Sequence, residues 1–294
     1  MAEAQFTGTV RHCTGCGATV AFDGPAVSTT CSYCDSPMVD EARATAVVDA
    51  IVPFHVPKRG AIERLRAHLE GQRWAPTELR QLRVHGRGLR GVLVPFWVYE
   101  GVIRSEYRAR IGVDWLRRES YREQGRTRTR EIRETEWFPL TGTAARQIED
   151  HVVSASVGLP AHEANPLEPF DLGRATRFDP RLLSGFEAEL ASVATDDAER
   201  LAIAELRESE GPRIQRELLP GDRNRLDWIT SEVEIHGRKL VLLPVWIASY
   251  RHRDVVLRLL VNGQTGEVVG RVPICKRKLA IVIASAIALL VGVV

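Results

Sequence analysis

An α+β fold class follows from three observations on the sequence. Four of the five cysteines form two close pairs, Cys13-Thr14-Gly15-Cys16 and Cys31-Ser32-Tyr33-Cys34. The middle of the chain alternates helical periodicity with apolar runs rich in β-branched and aromatic residues. Residues 279–294 carry no charge at all. The 294 residues, 44% hydrophobic and 27% charged, suit about two packed units and exclude a disordered or collagen-like chain. Forty Lys and Arg against 38 Asp and Glu leave a charge of +2. That balance argues against a general polyanion binder, which needs a basic face to release counterions.

The cysteine spacing is C-x2-C-x14-C-x2-C. Thiolates two residues apart face one ion when the chain makes a tight knuckle, and two knuckles complete a tetrahedral S4 shell. Gly17 suits the positive φ that such a turn needs. Val20 and Phe22 then alternate ahead of Asp23-Gly24-Pro25, the pattern of a hairpin. Residues 1–45 are therefore expected to be a zinc ribbon, with Cys13, Cys16, Cys31 and Cys34 holding one Zn2+. Two disulfides in a secreted domain are the alternative; the first residues show neither a basic nor an apolar leader region, which favours metal. Four thiolates leave no open coordination position, so the ion is expected to be structural. The ribbon carries Glu3, Asp23, Asp35, Asp40 and Glu41 against Arg11 and Arg43. This electronegative balance favours a protein partner over nucleic acid.

Residues 46–165 are expected to form a first α+β unit. Residues 47–54 read as a strand, and Ile62, Leu65 and Leu69 place a helix over 59–70, stopped by Gly71. Gly91-Val92-Leu93-Val94-Pro95-Phe96-Trp97-Val98-Tyr99 reads as a strand whose Pro95 marks an edge or a bulge. Residues 103–137 hold ten Arg against seven acids, and Thr127-Arg128-Thr129-Arg130 alternates as in an exposed hairpin. Residues 166–273 are expected to form a second α+β unit. Thr195-Asp196-Asp197 caps a helix that Gly211-Pro212 should kink or end. Strands follow over 240–248 and 255–261, then the turn Asn262-Gly263-Gln264-Thr265-Gly266 and a strand over 267–272. Leu243-Pro244-Val245-Trp246-Ile247 echoes Val94-Pro95-Phe96-Trp97-Val98, which suggests an internal duplication with Trp97 and Trp246 as equivalent core residues.

The run 279–294 follows Lys276-Arg277-Lys278. It reads as a transmembrane segment, with a buried core helix as the alternative, since about 24 Å of helix falls short of a ~30 Å hydrocarbon core. A single-pass C-terminal anchor in the cell membrane would place the bulk of the chain in the cytoplasm by the positive-inside rule. Ala280, Ala284, Ala288 and Gly292 would then form a ridge for helix–helix association and a homo-oligomer.

These segments in order, with Arg73-Trp74-Ala75-Pro76, the run Leu182-Leu183-Ser184-Gly185-Phe186-Glu187-Ala188-Glu189, Leu242-Leu243-Pro244-Val245-Trp246 and Val261-Asn262-Gly263-Gln264-Thr265-Gly266, resemble a bacterial family of membrane-anchored zinc-ribbon proteins. Its members are often mislabelled primosomal protein N-prime or helicase-like, and are encoded beside PspA-type and SPFH proteins. The resemblance implies an adaptor or scaffold that recruits such peripheral membrane proteins at stressed membranes, with contact to membrane lipid; a nucleic-acid-associated ribbon protein is the alternative. The helicase label fails a direct test, because Lys58, Lys239, Lys276 and Lys278 are followed by Arg59, Leu240, Arg277 and Leu279, never Ser or Thr, so no phosphate-binding loop exists. His162-Glu163 has no second His for a zincin site. No catalytic residue is assigned.

Overall fold

The computed structural model describes residues 5–13, 15–22, 31, 33–34, 38–76, 88–123, 126–179, 182, 186–252 and 255–275. They divide into two compact units, one within residues 1–98, 152–198 and 239–294, the other of residues 99–151 and 199–238.

In the first unit the N-terminal hairpin is knitted into a larger sheet. Strand β1 (Gln5–Cys13) pairs antiparallel with β2 (Thr19–Phe22) and with β3 (Met38–Val47), the latter with a register shift between Gly8 and Val10. Strand β4 (Ala50–Ile51) is followed by helix α1 (Lys58–Gly71), which buries Ala61, Leu65 and Leu69 on one stripe. Strands β5 (Leu89–Glu123), β6 (Arg126–Ser154), β7 (Thr176–Arg177) and β8 (Glu187–Glu189) follow, with the short helix α2 (Ala161–Ala164) between β6 and β7. The three-residue β8 is the stitch: Val20 faces Glu189 antiparallel on one side, and Val92 faces Glu187 parallel on the other. After helix α3 (Thr195–Glu217), strand β9 (Arg223–His252) takes β4 in parallel through Ala50 and Val241 and β10 (Val255–Asn262) antiparallel through Leu259 and Ala248. Strand β11 (Val268–Gly270) closes the series. The α1 stripe packs on Trp246, Leu259 and Val261. Trp246 donates from its indole N–H to the Val56 carbonyl at 2.9 Å, which satisfies the polar end of a ring that is 5% exposed. Trp97 is only partly buried, against a neighbouring cluster of Ile51, Leu93 and Leu242.

The second unit holds β5 from Tyr99 onward, most of β6, most of α3 and the first part of β9. Ile103, Ile148 and Leu206 form one small core, and Tyr107, Ala109, Ile214 and Leu219 another. Glu210 is fully buried on α3 and accepts from Arg213 at 2.6 Å and Arg146 at 3.0 Å. These contacts explain why α3 runs on through Pro212 to Glu217: buried Ile214 and the Glu210–Arg213 pair bracket the proline and offset the backbone hydrogen bond that it forfeits.

The expected α+β architecture is thereby corrected. The described residues build one 11-stranded mixed sheet in the order β11-β10-β9-β5-β8-β2-β1-β3, with β4, β6 and β7 attached off that path. Residues 103–137, expected as an exposed hairpin, do lie in one, and its two strands extend over 35 and 29 residues. Its charges satisfy one another across strands, Arg117 with Glu134 at 2.8 Å, Arg118 with Glu131 at 3.0 Å and Arg130 with Glu119 at 2.7 Å. Such a ladder lets a polar sequence remain extended. The C-terminal transmembrane helix is likewise withdrawn, and with it the single-pass anchor and the cell-membrane location. Among the described residues no helix is long and apolar enough to cross a membrane. Residues 276–294, on which the expected span, basic cluster and alanine ridge fall, lie outside the described residues.

Candidate metal centre

Both cysteine pairs sit on tight knuckles. The first closes the β1–β2 turn, where the Gly17 N–H donates to the Cys13 carbonyl at 3.1 Å and Gly17 itself has φ +76°, a conformation that glycine adopts without strain. The Gly15 N–H points at Cys13 Sγ at 3.3 Å, and the Tyr33 N–H points at Cys31 Sγ at 3.4 Å. The two knuckles thus repeat one motif, a backbone N–H two residues on directed at the first sulfur of each pair. Such donors stabilise negative charge on sulfur.

The knuckles converge. The four cysteine sulfurs all lie within 4.8 Å of one another, with Cys13 to Cys34 at 3.4 Å and Cys16 to Cys31 at 3.6 Å. A tetrahedral ion with metal–sulfur bonds of about 2.3 Å sets its sulfurs about 3.8 Å apart, so the donor set fits a metal. None of the five cysteines is in a disulfide. The crowding has an electrostatic signature. The Cys31 thiol is pushed well up by the neighbouring Cys16 sulfur and by burial, and the Cys13 thiol is pushed up by burial, against the pull of the Cys16 and Gly15 N–H groups. Thiols held this close resist ionising together, and a bound cation reverses that preference.

Behind the second knuckle lies a buried polar network. Tyr33 is fully buried, and its hydroxyl donates to Glu189 Oε2 on β8. Ser156 Oγ donates to Glu189 Oε1 at 2.6 Å and accepts from the Leu159 N–H at 2.9 Å. Burial raises the Glu189 carboxyl to about 7, against the opposing pull of Ser156, Tyr33 and Arg258. Arg258 lies over the Tyr33 ring at 5.9 Å and donates to the Gly158 carbonyl and to Glu163 at 2.8 Å. It also lines a cleft of about 520 Å3 with His162, Glu163 and Arg271. Nearby in sequence, Asn262 is fully buried, donates to the Leu167 carbonyl at 2.8 Å and accepts from the Gln264 and Thr265 N–H groups.

All four cysteines singled out from the sequence therefore come together. The Glu189–Tyr33–Ser156 network was not anticipated, although Glu189 and Asn262 lie in two of the motifs that carried the family resemblance. Its sequence signal is confined to the acids that alternate with Phe186 and Ala188 in Phe186-Glu187-Ala188-Glu189.

No family model and no solved structure matches this chain. It is similar to the uncharacterized protein YdjG of Bacillus subtilis (strain 168), 25% identical over 235 residues that cover 78% of this chain. The chain spans 65% of that relative's length.

Proposed function

We propose that the chain is a non-catalytic adaptor whose ribbon holds one structural Zn2+ and thereby orders a surface for protein partners. The observation that carries this reading is the closed donor set: four sulfurs within 4.8 Å of one another. Soft thiolate ligands in a tetrahedral arrangement suit Zn2+, and a site with no position for water or substrate suits structure rather than catalysis. The stitch through β8 supports a role beyond local stability, because metal-dependent order in the ribbon extends to β5 through two strand pairings. The acidic balance of residues 1–45 favours a protein partner, and the family resemblance makes PspA-type and SPFH-type proteins the first class to test.

The test is direct binding of the purified, Zn2+-loaded chain to purified PspA-type and SPFH-type proteins, with duplex and single-stranded DNA as controls. Binding to a protein partner that is lost in Cys31→Ser supports the adaptor. Binding to DNA at physiological salt, with no protein partner, overturns it.

A further inference from the structure

Strand β6 pairs with β5, and among the described residues no strand lies on its other side. Its residues 126–131 and 136–139 are exposed, with Ile132, Glu134 and Thr135 partly covered. A long open edge of this kind is a template for another strand. The outer segment of β6 carries an unusual sequence for an edge: Arg126-Thr127-Arg128-Thr129-Arg130-Glu131-Ile132-Arg133-Glu134-Thr135-Glu136-Trp137-Phe138. Its charges are antisymmetric about Ile132. Arg133 mirrors Glu131, Glu134 mirrors Arg130, Thr135 mirrors Thr129, and Glu136 mirrors Arg128.

We propose that this edge is a self-recognition site, at which β6 of one chain pairs antiparallel with β6 of a second copy about a two-fold axis through Ile132. In that register Arg128 faces the partner's Glu136, Arg130 faces the partner's Glu134, and Arg133 faces the partner's Glu131. Each pair occurs twice by symmetry. Opposed residues in an antiparallel pair share one face, and every one of these pairs has matching parity. Ile132 meets its own copy at the centre, and Thr127 meets Trp137, which is 44% exposed.

The charges already present on β5 extend the pattern. Glu119 pairs with Arg130, and Arg117 with Glu134. Across the proposed interface they give the row Glu119, Arg130, then Glu134 and Arg117 of the second copy, alternating in sign over four strands. The register is also protected against slips. A shift by two residues one way sets Glu131 against its own copy, a shift the other way sets Arg133 against its own copy, and a parallel in-register pairing opposes every charge to itself. Like charges directly opposite are destabilising. Pro139 has no N–H to donate, so pairing ends there. A polyanion does not fit, because the charges alternate and Arg117, Arg118 and Arg130 already face carboxylates.

The occupant is therefore a second copy of this chain, in an isologous two-fold interface. Backbone hydrogen bonds and the Ile132 and Trp137 contacts supply the attraction; the exposed charges set register and orientation.

The test uses the full chain in sedimentation-velocity runs over a concentration series, with zinc content and circular dichroism confirming that each variant is folded. The wild type should form a dimer, and Arg128→Glu and Glu136→Arg should each weaken it at least about tenfold, because each change opposes like charges at both ends of the two-fold. Mixing the two single variants should restore a dimer, since each then supplies the charge that the other lacks. The double variant should self-associate like the wild type. A wild type that stays monomeric up to about 0.1 mM, single variants that dimerise like the wild type, or a mixture that stays monomeric would each overturn the proposal.

Discussion

The buried Glu189 carboxyl makes folding stability depend on pH. The carboxylate sits on β8 with no exposure to solvent beyond 1%, and burial raises it from 4.5 to about 7 despite hydrogen bonds from Ser156 and Tyr33 and the charge of Arg258. Between those two pH values the folded chain holds a proton that the unfolded chain has released. Stability contributed by this group is therefore full below pH 4.5, falls as pH rises and is lost above about 7. At about 1.4 kcal/mol per pH unit, the gap amounts to about 3 kcal/mol. Glu189→Gln keeps the shape and an acceptor oxygen but cannot ionise, so it removes the dependence. The assay is urea unfolding of wild type and variant across pH 4.5 to 8 with Zn2+ in excess, read as the difference between the two. With Zn2+ in excess, the contribution of the metal is common to both proteins and cancels. The difference in stability should move by about 3 kcal/mol in favour of the variant as pH rises. Parallel profiles would refute the assignment of a protonated, buried Glu189.

Three further outcomes follow from the packing. Glu210 is buried between Arg213 and Arg146, and although burial pushes its carboxyl up, the two guanidinium groups outweigh that and hold it below the usual range; Glu210→Gln should cost about 3 kcal/mol in chemical denaturation by leaving both arginines without their carboxylate, and the wild-type advantage should fade as pH drops through the carboxylate range. Trp246→Ala should lower stability by about 3–5 kcal/mol and Trp97→Ala by clearly less, since Trp246 is buried with its indole N–H satisfied and Trp97 is partly exposed; equal losses in thermal melts would contradict the difference in packing. Asn262→Ala should cost about 2 kcal/mol or more, read by urea midpoint, because it orphans the Leu167 carbonyl and the N–H groups of the turn it caps.

What could be read from the sequence was local. Helix α1 was legible from Ile62, Leu65 and Leu69, of which Leu65 and Leu69 are buried beside Ala61 and Ile62 is partly buried, and Gly17 takes the positive φ, +76°, that the cysteine knuckle asks for. The cysteine quartet announced its own convergence, because the chemistry of four thiolates permits few other arrangements. The rest depends on partners distant in sequence. The alternation over Thr127 to Arg130 reads as an exposed hairpin, but the length of β5 and β6 and the matching of Arg117 to Glu134 or Arg130 to Glu119 exist only after the strands align. Helix α3 passes Pro212 because Arg146, far along the chain, helps to bury Glu210. Strand β8 is three residues long and has no periodicity to detect; its pairings with β2 and β5 give Glu189 its place behind Tyr33.

In the proposed function the four cysteines bind one structural Zn2+ on which the ribbon depends. Metal analysis of the purified chain by mass spectrometry, set beside Cys31→Ser, tests it most directly. The wild-type chain should hold one zinc and the variant none, and the variant should lose protection from amide exchange in the two knuckles and in the β1 and β2 residues beside them, since the ion closes turns that the sheet alone does not hold. A Cys31→Ser chain that keeps stoichiometric zinc and an ordered ribbon would contradict it.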